Sequence, residues 1–143
     1  MDFTPLARFI VTISGVLGLG IQARVLLSPK QWTNIAPIWE VASLTQKGLM
    51  LAVFAVPLCY YTFCIVTCYV RLSRPVLITS TGVIALAAIP YFLGIAEESP
   101  TIARNAGWTG VPWLFIFADQ LAANRQRSVG VTSDTASDEC ADH

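Results

Sequence analysis

The chain has 143 residues, nine basic and nine acidic side chains, a hydrophobic share of 55% and a charged share of only 13%. Soluble proteins carry about 25% charged residues, so this balance, with a mean hydropathy of +0.61, excludes an ordinary soluble domain and points to lipid, while the length admits a single domain. A net charge of zero spread along the chain also excludes the basic stripe that nucleic-acid binding requires.

A helix that crosses a bilayer needs about 20 mostly apolar residues, since it rises 1.5 Å per residue through a core about 30 Å thick. The first candidate, residues 9–27, is interrupted by Gln22 and Arg24 and closed by Ser28-Pro29, because proline restricts the residue before it. Arg24 can snorkel to the interface. An apolar run after Arg8 with Gly18 and Gly20 downstream also has the pattern of a cleavable signal, but an even count of four spans is more coherent with the segment retained. Residues 30–47 form a loop carrying Trp32, Trp39 and Glu40, long enough to fold back over the mouth of a bundle. Tryptophan here suits an aromatic belt at the headgroups.

Residues 49–70 and 75–96 contain no charged side chain and are the clearest spans. The connection between them, Arg71-Leu72-Ser73-Arg74, permits only a tight turn, so the two helices are expected to be antiparallel neighbours. The fourth segment, 105–124, is apolar for its first two thirds and then meets Asp119. Prolines at 57, 90 and 112 predict kinks, which a membrane bundle tolerates because neighbouring groups re-satisfy the freed backbone. Residues 125–143 turn to Ser, Thr, Asp, Gly and Ala and are expected to be disordered, for want of apolar surface to offset ordering entropy. The expectation is therefore an all-α four-helix membrane bundle over residues 1–124, followed by a disordered tail.

Four crossings sort the charges. Arg8, Arg71, Arg74, Arg125 and Arg127 share one side, and Arg24, Lys30, Lys47 and Arg104 the other. The small excess leans toward cytoplasmic termini by the positive-inside rule. Asp119 is expected to pair at the first side, with Arg125 or with the 71–74 turn. Gln22, Arg24, Glu40, Lys47, Glu97, Glu98, Arg104 and Asn105 gather at the opposite mouth.

Two carboxylates with separated pKa values can act as acid and base on an apolar substrate. Glu40, with Glu97 or Glu98 as its partner, is the candidate catalytic set. Arg24, Lys47 and Arg104 are placed to stabilise negative charge, and Asn105 and Trp39 complete the substrate-binding residues. The plain readings are a solvated acidic loop for Glu97-Glu98 and a belt for the tryptophans. Cys59, Cys64 and Cys68 lie within one apolar run without a histidine, so they read as packing residues and neither a metal nor another cofactor is expected. Ser14 with Gly18, Ala103 with Gly107, and Ala106 with Gly110 are small pairs that let helices approach closely, within the bundle or in a homo-oligomer.

Gly15, Gly18 and Gly20 in the first helix, Arg24-Val25-Leu26-Leu27-Ser28-Pro29 closing it and Lys47-Gly48 opening the second resemble small four-span membrane proteins of DoxX-like layout, common in fungi, over about residues 9–123. That group usually has an arginine near the start of the second helix, an aspartate late in the third and a histidine early in the fourth; here Lys47, Leu93 or Glu97, and Asn105 occupy those stretches. The resemblance implies the four-span architecture. Small proteins of this layout in fungal secondary-metabolite clusters further imply a membrane enzyme of the endoplasmic reticulum. It would open an epoxide, hydrate or cyclise an apolar polyketide or terpenoid without a metal. The rival expectation is a non-catalytic membrane assembly partner or transport accessory.

Overall fold

The computed structural model describes residues 3–139, and their side chains except those of 31, 32 and 127–139. Five helices account for nearly all of it: α1 (Thr4–Leu26), α2 (Pro29–Val41), α3 (Leu44–Tyr69), α4 (Arg74–Glu98) and α5 (Pro100–Glu139). Prolines sit in the first turns of α1, α2 and α4 and open α5, where a missing N–H costs nothing and φ is already helical. Helix α3 begins five residues before the expected span because Ser43 and Gln46 form a capping box. The Ser43 hydroxyl accepts from the Gln46 N–H at 3.4 Å, and the Gln46 Oε1 accepts from the Ser43 N–H at 2.8 Å. The helices run unbroken through Pro57, Pro90 and Pro112.

Three helices, α1, α3 and α4, are long and apolar enough to cross a membrane. At 23, 26 and 25 residues they reach roughly 35–39 Å. Helix α5, the fourth expected span and the shortest in apolar length, falls short of that standard of hydropathy. The reason is its inward face: Asn105, Thr109 and Gln120 are hydrogen-bonded inside the bundle, so α5 trades apolar surface for polar contacts. The 30–47 segment is also more than a loop, since most of it is helix α2. Its side chains are largely exposed, and α2 is not among the extensively packed helices. Backbone helix continues from residue 125 to Glu139, where the composition predicted no order. No proline after Pro112 stops it. The end of the expected tail, residues 140–143, lies outside the described residues.

Helix α1 packs most extensively on α5 and next on α3, while α4 leans on α5 and, to a lesser degree, on α3. Helices α3 and α5 also touch, so α1 and α4 occupy the far corners of a diamond. The inner cluster, Ala7, Val11, Cys64, Cys68, Trp113 and Ile116, is walled by Tyr60, Phe63 and Phe117. Most large apolar side chains point outward, Leu86 at 80% and Leu93 at 68% exposure among them. Such faces suit lipid, where outward apolar atoms carry no penalty. Helix α4 buries only Leu77 and Ala88.

A seam of neutral polar groups holds α1, α3 and α5 together. Thr109 Oγ1 donates to Ser14 Oγ at 2.9 Å, and Asn105 Nδ2 donates to the Ser14 carbonyl at 3.2 Å and to the Tyr61 hydroxyl at 3.3 Å. One level further along, Trp113 Nε1 donates to Thr67 Oγ1 at 2.6 Å. Gln120 then straps the α3–α4 connection: its Nε2 donates to the carbonyls of Thr67 and Val70, and its Oε1 accepts from the Leu72 N–H. Asn124 Nδ2 reaches the Leu72 carbonyl. The hydroxyls of Ser14, Thr67 and Thr109 also bond carbonyls of their own helices, whereas the Asn105 amide and the Trp113 N–H find their partners across the seam, where a water-free interior offers no other.

Candidate functional site

Facing positions on α4 and α5 are small: Ala85, Ala88 and Ala96 on one, Ala103, Ala106, Gly107 and Gly110 on the other. Side chains of this size cannot fill the space between two helices to normal packing density. The result is a cleft of about 560 Å³ between α3, α4 and α5, within the usual size of small-molecule sites. Tyr60, Phe63 and Cys64 form its α3 wall, and Ile84, Ile89, Phe92 and Leu93 extend the α4 wall.

Few polar atoms reach this lining. The Tyr60 hydroxyl donates to the Ala106 carbonyl at 2.7 Å, which ties α3 to α5 across the cleft, and the Tyr60 ring meets Phe92 edge-on at 5.1 Å. Thr81 Oγ1 is buried and has no hydrogen-bond partner among the described residues. The lining is therefore almost wholly apolar, with the hydroxyls of Tyr60 and Thr81 among its few polar groups. At one end it is lined by Ala96 and Ala103, the residues immediately before Glu97 and Arg104. Glu97 and Glu98 end α4 one residue before α5 begins, so the acidic pair stands beside that end.

The expected site residues are not gathered into one cluster. Glu40 is exposed on α2, Arg24 is exposed near the end of α1, and Glu97 and Glu98 are exposed. No hydrogen bond or ion pair among the described residues joins the three glutamates to one another or to Arg24, Lys47 or Arg104. Trp39 is half-buried, with the Lys47 ammonium 5.7 Å from its ring centroid. That is cation–π distance and fastens the end of α2 to the start of α3. Arg104 lines a second hollow of about 370 Å³ with Trp108 and Pro112, on the other side of Gly107 and Val111. Asn105 belongs to the seam between α1 and α3. The side chain of Trp32 lies outside the described residues.

Asp119 pairs with Arg8 at 3.8 Å, because α1 and α5 are the most closely packed helices and bring these two side chains level, and it shares a cavity with Arg71 of the 71–74 turn, near which it was expected. Cys64 and Cys68 are buried in the core cluster and Cys59 is exposed. Sequence reasoning missed Tyr60 and Thr81 as cleft residues; their signal was a hydroxyl within a charge-free run. In comparisons by sequence and by structure, no protein family, no curated protein and no solved structure matches the chain.

Proposed function

We propose that this chain is a membrane-embedded enzyme that admits an apolar polyketide or terpenoid intermediate from the bilayer into the cleft between α3, α4 and α5. It then carries out acid/base chemistry, epoxide opening, hydration or cyclisation, at the end where α4 meets α5. The observation that carries this reading is an apolar cleft of about 560 Å³ whose lining ends at Ala96 and Ala103, the first of which directly precedes Glu97 and Glu98. The occupant's apolar body would lie along Ile84, Ala88 and Phe92, leaving its reacting group at the polar end. One glutamate protonates the leaving or bridging oxygen, and the other removes a proton from water or from an internal nucleophile. Glu40, exposed on α2, remains the third candidate carboxylate.

The same reading takes α5 as a fourth crossing, since its polar side chains are hydrogen-bonded inward. It gives the chain the layout of the DoxX-like proteins it resembles, with both termini on the cytoplasmic face of the endoplasmic reticulum. Metabolite profiling of a strain lacking the protein tests it: one apolar precursor, carrying an intact epoxide or an uncyclised chain, should accumulate. Reconstituted wild-type protein should convert that precursor, and Glu97→Gln or Glu98→Gln should lose turnover while retaining binding. An unchanged profile would refute the enzyme.

One observation favours a second reading. Gly107 is open, with nothing within 4 Å of an added Cβ, and the alanines around it form a small-residue groove of the kind into which another membrane helix packs. A stoichiometric membrane partner recovered with the chain, and lost on Gly107→Leu, would support an assembly role.

A further inference from the structure

At the opposite end of the bundle, a separate cavity of about 200 Å³ is lined by Arg8, Thr67, Cys68, Tyr69, Arg71 and Asp119, together with Val70 and Gln120. Its acceptors are largely taken: the carbonyls of Thr67 and Val70 receive Gln120 Nε2, and the Tyr69 hydroxyl is engaged with Thr12 Oγ1 at 2.8 Å. The guanidinium donors are left over. Arg8 Nε is buried and has no hydrogen-bond partner among the described residues. The nearest oxygen of Asp119 stands 3.8 Å from Arg8 Nη2, well beyond the 2.7–2.9 Å typical of a charge-assisted bond. Two guanidinium groups against one carboxylate leave the cavity positive.

We infer that the Arg8–Arg71 cavity is a binding site for a phosphate group, and that the headgroup of an anionic phospholipid supplies it. A guanidinium fork matches phosphate oxygens two at a time, and Arg8 has the unfilled donor for it. Depth selects the source. Arg8 lies one turn into α1 and Arg71 two residues beyond the end of α3, so both stand where apolar helix gives way to headgroups and where arginines attract anionic lipid. The inference does not depend on the reaction proposed above, because the site lies at the other end of the molecule.

The test is native mass spectrometry of the full chain released from vesicles of phosphatidylcholine alone or mixed with phosphatidic acid. The wild type should retain phosphatidic acid in preference to phosphatidylcholine, and Arg8→Gln or Arg71→Gln should each lower that preference about tenfold or more, the weight of a hydrogen bond to a charged group, against about fivefold for diffuse attraction of an arginine near a membrane surface. Arg74→Gln, at the same end but outside the cavity, should lower it by no more than the diffuse, about fivefold, share. Asp119→Asn should strengthen it, which gives a readout that does not require loss of an arginine. Inorganic phosphate added in its place distinguishes the sources: displacement of the lipid by millimolar phosphate would assign the site to the free anion. Equal losses in all three arginine variants would show diffuse surface attraction and overturn the site, as would the absence of any lipid preference.

Discussion

Gly18 is where the packing of α1 on α3 is tightest, and replacing it with alanine measures how firmly Tyr61 is held. An ideal Cβ at Gly18 would lie 2.5 Å from Tyr61 Cε1 and 2.7 Å from Cε2, and closer still to Cζ, whereas carbons in contact sit about 3.5–4.0 Å apart. The ring must retreat by about 1 Å, but Tyr61 is 1% exposed and its hydroxyl accepts from Asn105. Overpacking of this kind costs about 1–3 kcal/mol, while alanine's better helix propensity returns about 0.5–1 kcal/mol. Gly20 separates the two effects, since nothing lies within 4 Å of its added Cβ. Gly20→Ala carries the propensity gain alone. Gly18→Ala should therefore be less stable than Gly20→Ala by about 1–3 kcal/mol in reversible unfolding in mixed micelles followed by circular dichroism. The difference should vanish when both are made in a Tyr61→Ala background. Equal stability of the two variants, or a difference that survives removal of the ring, would refute the contact.

Gln120→Leu strips partners from the Thr67 and Val70 carbonyls and the Leu72 N–H at once. It should cost about 1–3 kcal/mol in the same assay and speed hydrogen exchange at Leu72. Trp113→Phe keeps the ring contacts with Phe63 and Phe117 but loses the 2.6 Å bond to Thr67; the expected loss is about 0.6 kcal/mol and at most about 1.7 kcal/mol, the range for hydrogen bonds between membrane helices. Leu77→Ala empties one of the two buried positions of α4 and should destabilise by about 2–5 kcal/mol, with protease cleavage at the α4–α5 junction as an independent readout. Thr81→Val removes a hydroxyl that has no partner among the described residues and should leave stability unchanged in the same unfolding assay; on the proposed reading it should also weaken binding of apolar compounds that carry a hydrogen-bonding group.

The charge-free runs at 49–70 and 75–96 were legible as helices because a long apolar segment has few other stable forms in lipid. The α3–α4 hairpin followed from four residues of connection. Helix α2 was not legible: Trp32, Trp39 and Glu40 look like loop residues by composition, and the helix is marked only by Pro29 in its first turn. The capping box at Ser43 and Gln46 was present in the sequence but was outweighed by the search for apolar residues. The grouping of Arg8, the 71–74 turn and Asp119 at one end followed from counting crossings. The cleft did not, because it arises from what small residues on α4 and α5 fail to fill, and which faces meet depends on the arrangement of all the helices. Asn105 was grouped with the mouth by position; its hydrogen bonds to Ser14 and Tyr61 give it a structural task.

Because α1 finds its principal partner in α5, the first helix made must wait for the last. The Leu72 N–H likewise waits for a side chain 48 residues downstream, roughly 2–10 s of synthesis. During that interval the Leu72 N–H has only lipid headgroups, water or the insertion machinery to satisfy it, while the Ser14 hydroxyl bonds the Ile10 carbonyl within α1. A ribosome stalled before α5 emerges would thus leave a half-built bundle whose α1 lacks its main contact, a natural mark for quality control. The order of assembly is thereby written into the contact pattern: α1 can settle on α3 early, but its contacts with α5 come only after α3 and α4 are made.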